Sequence, residues 1–348
     1  MNSKWVHKFF RKTSTAHSSV VLLSFIFVLA VLGLLLSMFL AVSFGAKEIT
    51  MRMVWTAIFN YNPALTSDQI IHELRLPRVI GAAVIGAAFA VAGALMQGVT
   101  RNPLADTGIL GINAGASFMV VLSFAFFPNL PYLALILLSF IGAVLSTLFI
   151  MLLGSMTPGG LTPIRLTVAG AVVAALLSSL SSGIAIYYDL SQDLAFWFAG
   201  GVAGVKWFHL KLLVPIILLT IAFTFVLARS ISVISLGEDI AVSLGEKTKR
   251  IRILGMVCAV ILAGVSVSVA GPIGFVGLVI PHISRKLVGV DYRLIIPMSA
   301  LLGAILLVLA DLGARTVNPP KELAISAMVA LVGVPFFLYL ASRERRNL

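Results

Sequence analysis

Apolar runs about as long as a bilayer is thick, separated by brief polar breaks, recur along the whole chain. Charge-poor stretches place membrane spans at approximately 19–44, 79–100, 107–127, 131–153, 166–188, 211–228, 253–270, 272–289, 294–314 and 323–341. A hydrocarbon core needs roughly 20 apolar residues per helical crossing. Spanning segments of this length must be helices, because lipid offers the backbone no hydrogen-bond partners. The pattern therefore predicts an all-α polytopic protein with about ten transmembrane helices. Two of the cuts fall inside long apolar runs. The stretch between Asp106 and Arg165 divides at "FFPNLP", and the stretch after Arg252 divides at "AGPIG". Proline and glycine at those points favour turns over continued helix.

Composition agrees with this reading and removes alternatives. With 60% hydrophobic and 11% charged residues, the chain has too little polar surface to cover a water-soluble globule. The run from Ser19 to Phe44 is longer than the core of a signal peptide, so it reads as a retained first span. Residues 1–18 then form a basic arm, and 19–348 form one transmembrane domain with a polar loop at 229–252. A single cysteine, Cys258, offers neither a disulfide framework nor a thiolate metal site, and it reads as packing.

The net charge of +12 could suggest nucleic acid, but its distribution points to topology. With the N-terminus inside, 17 of the 25 lysines and arginines fall on the cytoplasmic side, including Lys4, Arg101, Arg165, Arg252 and Arg285. That bias satisfies the positive-inside rule and places both termini in the cytoplasm.

Several stretches carry candidate function. "RVIGAAVIGAAFAVAGALMQG" from Arg78 and "RILGMVCAVILAGVSVSVAGPIG" from Arg252 are alike and enter the membrane from opposite sides, as an inverted repeat would. The small residues of the first allow close helix approach. Two readings follow: a tightly packed central helix, or one whose face, with Gly86 and Gly93, lines a substrate path with Gln97, Asn102 and Pro103 near its cytoplasmic mouth. Asp311 and Arg315 are spaced for an ion pair within one helix. The spans hold no run of carboxylates suited to a proton relay, which disfavours a proton-driven secondary transporter. His282 is read as structural, since an intramembrane hydrolase would need a nucleophile and partner that the sequence does not supply. Arg75 and Arg78 in "HELRLPR", with Arg315, mark outer helix ends, where arginine serves as an interfacial anchor or receives carboxylates from a docking protein.

The stretch 237–247 is a short amphipathic helix bracketed by Gly237 and Gly245. Ile240, Ala241 and Leu244 lie at helical spacing, and Glu238 and Asp239 near its start. A lipid-surface helix usually has a basic polar face, so this acidic start favours a groove on a partner protein.

Four of these stretches, "ELRLPRVIGAAVIGAAFAVAGALMQGVTRNPLADTGILGINAGAS", "GEDIAVSLGEKTKRIR", "AGPIGFVGLVIPHISR" and "ALVGVPFFLYL", together resemble the permease subunits of ABC importers for iron-siderophores, haem and vitamin B12. The resemblance runs from about residue 70 to the C-terminus. It implies a type II ABC importer permease in a bacterial cell membrane. Such a subunit is paired with a second permease, carries two cytoplasmic ATPases, and is served by an extracytoplasmic substrate-binding protein. It implies no enzymatic activity and no cofactor or metal on this chain, with ATP and Mg on the ATPase. By resemblance, Gly237, Glu238, Asp239, Ala241, Leu244 and Gly245 belong to a coupling helix, and Arg75, Arg78 and Arg315 to the docking face. The expected cargo is an iron(III)-siderophore complex, with cobalamin or haem as the alternative and an ion-coupled secondary transporter further off. Pro163 and Ile164 stand where some relatives carry small hydroxyl residues, so no gate residues are assigned.

Overall fold

A computed structural model of the chain describes residues 3–45, 49–156, 163–190, 192, 194, 197, 201–319 and 321–344, with the backbone alone at 3–19. The basic arm and the "LTPIRLT" loop therefore lie largely outside the described side chains. The described residues form helices and turns, with no strand among them.

Each of the ten expected spans coincides with a helix. In chain order these are α1 (Ser3–Ser43), α4 (Leu76–Thr100), α5 (Ile112–Phe126), α6 (Tyr132–Ser155), α7 (Pro163–Tyr187), α8 (Trp207–Ser235), α10 (Thr248–Ala270), α11 (Val276–Val288), α12 (Tyr292–Thr316) and α13 (Ile325–Glu344). Shorter helices with both ends described are α2 (Met51–Phe59), α3 (Thr66–Gln69) and α9 (Glu238–Ser243). A π-helical turn, Ile70–Arg75, joins α3 to α4, so the apolar segment Thr66–Thr100 is continuous. Among the described residues, seven helices are long and apolar enough to cross a membrane, and α5 and most of α13 are shorter apolar helices.

Two helices fall short of their predicted lengths. The third span was expected from 107, yet α5 starts at Ile112, after a 3₁₀ turn at Thr107–Leu110. Asp106 caps that turn by accepting from the Thr107 N–H at 2.7 Å, and Gly111 leaves it in the left-handed region at φ 65°. The eighth span, α11, has 13 residues, about 20 Å at 1.5 Å per residue, less than a hydrocarbon core. α4 and α10, the two helices of the suspected repeat, are thus each followed by a break in the α-helix, at 101–111 and 271–275, and then by a short helix.

Burial decides which helix is central. In its most apolar window the Thr66–Thr100 segment is 83% buried, against 22% for α7. α4 packs on α8, α10, α11 and α12, while α5, α6 and α7 form a second group that meets the first where α6 lies against α10. Glycine makes the closest crossings. A Cβ at Gly86 would lie 2.3 Å from Gly303 O on α12, one at Gly93 would lie 2.0 Å from Gly277 O on α11, and one at Gly115 would lie 2.3 Å from Gly142 O on α6. Backbone meets backbone at these points, the approach that small residues permit in helix packing.

Candidate functional site

At one end of α4, three arginines converge. Arg75 donates from Nη1 to Val42 O and Ser43 O at 2.7 and 2.8 Å, and Arg315 donates from Nη2 to Ala41 O at 2.7 Å. These are the last carbonyls of α1, which have no N–H ahead of them in their own helix. Both arginines are buried. The expected Asp311–Arg315 contact is present at 3.2 Å, and Asp311 is buried too.

Arg78 occupies the boundary of this cluster. Its Nε donates to Asp311 Oδ1 at 2.9 Å, while Nη1 and Nη2 make a bidentate pair with the two oxygens of Glu322, each at 2.9 Å. Glu322 is about half exposed, with 46% of its side chain accessible. The Arg78 guanidinium holds the Glu322 carboxyl below the usual carboxylate range. Of the three arginines named for docking, two are thus engaged in closing α1, and Arg78 is the one joined to an exposed group. Glu322 was not singled out from the sequence, because it is 244 positions from its partner.

Of the two readings of α4, the packing of its small residues matches the tightly packed central helix. Gly86, Gly93 and Gln97 are enclosed by the chain itself, the two glycines at the crossings above and Gln97 with 2% exposure. Gln97 Nε2 donates to Gly277 O and Leu278 O, both at 3.2 Å, and its Oε1 accepts from Arg285 Nη2. The reason lies in α11. Pro281 stands four residues after Gly277 and has no N–H to give, so Gly277 O needs another donor. Gln97 supplies it from the neighbouring helix. Asn102 and Pro103 are half-buried in the turn after α4, where Asn102 Oδ1 accepts from the Leu104 N–H at 3.0 Å.

α7 leaves a spanning face uncovered, with Val168, Val172, Leu176 and Leu180 exposed at four-residue spacing. Beside it, Ser178, Ser181 and Ser182 face Asn113 and Ser117 of α5 across a cleft of ≈ 420 Å³. Asn113 Oδ1 is buried there without a hydrogen-bond partner. Neither feature was singled out from sequence, since a serine on a membrane helix usually bonds back to its own backbone, as Ser181 and Ser182 do.

At the opposite end of α4 lies α9. Gly237 and Gly245 hold φ of 138° and 80°, a region that side chains disfavour, which accounts for glycine at both brackets. Ala241 is fully buried against the protein, whereas Ile240, Val242 and Leu244 are 48%, 58% and 65% exposed. The expected amphipathic helix is present, six residues long, with its apolar side uncovered. His282 packs edge-on against Phe336 with ring centroids 5.6 Å apart, and Cys258 is buried in α10. Among the described residues no cluster of metal-ligating side chains occurs.

Comparison with known proteins gives this geometry a context. The model of the FecCD transport family matches residues 33–343. The chain is 51% identical, over 97% of its length and 86% of the relative's, to the Bacillus subtilis iron(3+)-hydroxamate import system permease protein FhuB. It is 38% identical, over 92% of its length and 96% of the relative's, to the Escherichia coli ferric enterobactin transport system permease protein FepD. A solved metal-chelate type ABC transporter in an inward-facing conformation superposes with a TM-score of 0.81 at 27% identity, covering 91% of this chain and 99% of that one. The ten matched helices, the exposed α9 and the extent of these alignments lead to one conclusion: the chain belongs to the FecCD transport family, as a multi-pass membrane permease.

Proposed function

We propose that this chain is one permease half of a bacterial ABC importer that carries an iron(III)-siderophore complex into the cell. A second permease completes the pathway, and two cytoplasmic ATPases supply the energy. The observation that carries the proposal is the 51% identity, across nearly the whole chain, to a permease named for iron(3+)-hydroxamate import. Hydroxamate siderophores are accordingly the first cargo class to test, ahead of catecholates, carboxylates, cobalamin and haem.

The geometry supports particular roles. The uncovered apolar side of α9 fits a groove on an ATPase, as the amphipathic reading expects. Both termini are then cytoplasmic, in accord with the charge bias. The uncovered face of α7 and the serine-lined cleft beside it suit the meeting of two permeases around a polar solute, and they replace α4 as the pathway surface. On the extracytoplasmic side, Arg78 and Glu322 are the groups suited to meeting a binding protein, while Arg75 and Arg315 support them by fixing α1.

Radio-iron uptake by cells lacking this gene tests the proposal. Loss of uptake from hydroxamate siderophores, restored by the gene and abolished by inactivating the ATPase, is the expected result. Retained iron uptake with lost cobalamin or haem uptake would replace the cargo. Uptake that survives ATPase loss and collapses with the ion gradient would overturn the importer reading.

A further inference from the structure

Beyond the packing of Ala241, one polar side chain ties α9 to the rest of the chain. Glu238, its first residue, meets two arginines from two different helices. Arg252 Nη2 lies 3.3 Å from Glu238 Oε2, and Arg101 Nη2 lies 3.6 Å from the same oxygen. Among the described residues, every side-chain hydrogen bond or ion pair that leaves α9 starts from Glu238.

Both arginines lead to α4. Arg252, in the first turns of α10, also donates from Nε to Val99 O at 3.2 Å. Val99 lies in the last turn of α4, where carbonyls have no intrahelical N–H to accept from. Arg252 therefore joins α9 and the end of α4 through one rigid guanidinium, a planar fork that a lysine cannot reproduce. The same turn of α4 is in close contact with α10, where a Cβ at Gly255 would lie 2.6 Å from Val99 Cγ1.

Arg101 adds a second and independent sign. It terminates α4 in the left-handed conformation, φ 54° and ψ 31°. Glycine or asparagine usually occupies that position, because a Cβ makes it costly. A left-handed residue that is neither marks local strain, and here the larger residue carries the charge that approaches Glu238.

We propose that Glu238, Arg101 and Arg252 form the joint through which displacement of α9 is passed to α4, the most enclosed helix of the chain. Glu238 is then a positioning residue turned inward to its own chain, and the uncovered Ile240, Val242 and Leu244 make the outward contact. α4 in turn holds α11 through Gln97 and α12 through the Gly86–Gly303 crossing, so a shift at its end reaches both helices. This inference rests on the reading of α9 as the ATPase contact.

The test uses the assembled importer, this chain with its second permease and ATPases, in proteoliposomes. Glu238→Gln, Arg252→Gln, Arg252→Lys and Arg101→Gly are compared for complex assembly, ATP hydrolysis and uptake per ATP hydrolysed. Ile240→Cys and Leu244→Cys report crosslinking to the ATPase. The expected result is intact assembly and crosslinking, with uptake per ATP reduced about fivefold or more in Glu238→Gln and Arg252→Gln, the low end of coupling between sites. Arg252→Lys recovers part of the loss. Arg101→Gly separates support of the fold from transmission, because it relieves the strained backbone yet lowers uptake per ATP.

Unchanged uptake per ATP in Glu238→Gln and Arg252→Gln, with crosslinking intact, overturns the joint and leaves the coupling-helix reading standing. Loss of assembly and crosslinking in Glu238→Gln alone also overturns it, since Glu238 would then hold the ATPase itself. Failure of Ile240→Cys and Leu244→Cys to crosslink in the otherwise native complex overturns both readings.

Discussion

Replacing Gly93 by alanine tests whether the α4–α11 crossing holds the chain together. The added Cβ would lie 2.0 Å from Gly277 O and 2.3 Å from Gly277 Cα. An ordinary carbon–oxygen contact is about 3.3 Å, so the helices must separate by about 1.3 Å at this point. α4 has little room to retreat, because Gly86 is already seated against Gly303 O of α12. Overpacking of this kind costs about 1–3 kcal/mol. The separation also stretches the Gln97 bonds to Gly277 O and Leu278 O, now at 3.2 Å, beyond hydrogen-bond range. Gly277 O then has no donor, since Pro281 offers none, and an unsatisfied buried group adds about 1–3 kcal/mol. The sum is about 2–6 kcal/mol. Reversible unfolding of the purified chain in mixed micelles reads the change directly, with Gly204→Ala as control, where a Cβ would meet only the Tyr132 hydroxyl at 4.0 Å. The control should lie within about 0.5 kcal/mol of the parent. Equal stability of Gly93→Ala and the parent would refute the close-crossing argument.

Two further outcomes follow from the polar contacts. Gln97→Ala should destabilise the parent by about 1–3 kcal/mol, and less in a Pro281→Ala background, where residue 281 regains an N–H for Gly277 O; equal losses in both backgrounds, measured by the same unfolding assay, would exclude the surrogate-donor role. The depressed pKa of Glu322 means its pair with Arg78 contributes fully above the ordinary glutamate range, about pH 4.3, and is lost as pH falls through the lower folded value. An unfolding-stability series in acid should therefore show a smaller decline for Glu322→Gln than for the parent, and parallel curves would show that the pair contributes nothing to folding.

The hydrophobic pattern by itself determined that the chain is a helical membrane protein, and placed ten of its helices, because burying a backbone in lipid leaves the helix as the main local solution. Local chemistry determined the turns at "FFPNLP" and "AGPIG" and the brackets of α9, since proline and glycine act on their own backbone. The shortening of α5 was harder to see: Ala105 and Leu110 look like membrane residues and are indeed buried, but in a turn held by Asp106 and Gly111. Tertiary structure alone decided which helix is central. Gly86 and Gly93 suit a path wall and a close crossing equally well by composition, and only the positions of Gly303 and Gly277 distinguish them. It likewise decided that Arg75 and Arg315 close the end of α1, that Arg78 holds Glu322, and that Gln97 serves the carbonyl left free by Pro281. A hydrogen bond forms between atoms adjacent in space, and residues 32 to 274 positions apart become adjacent only when the helices have packed.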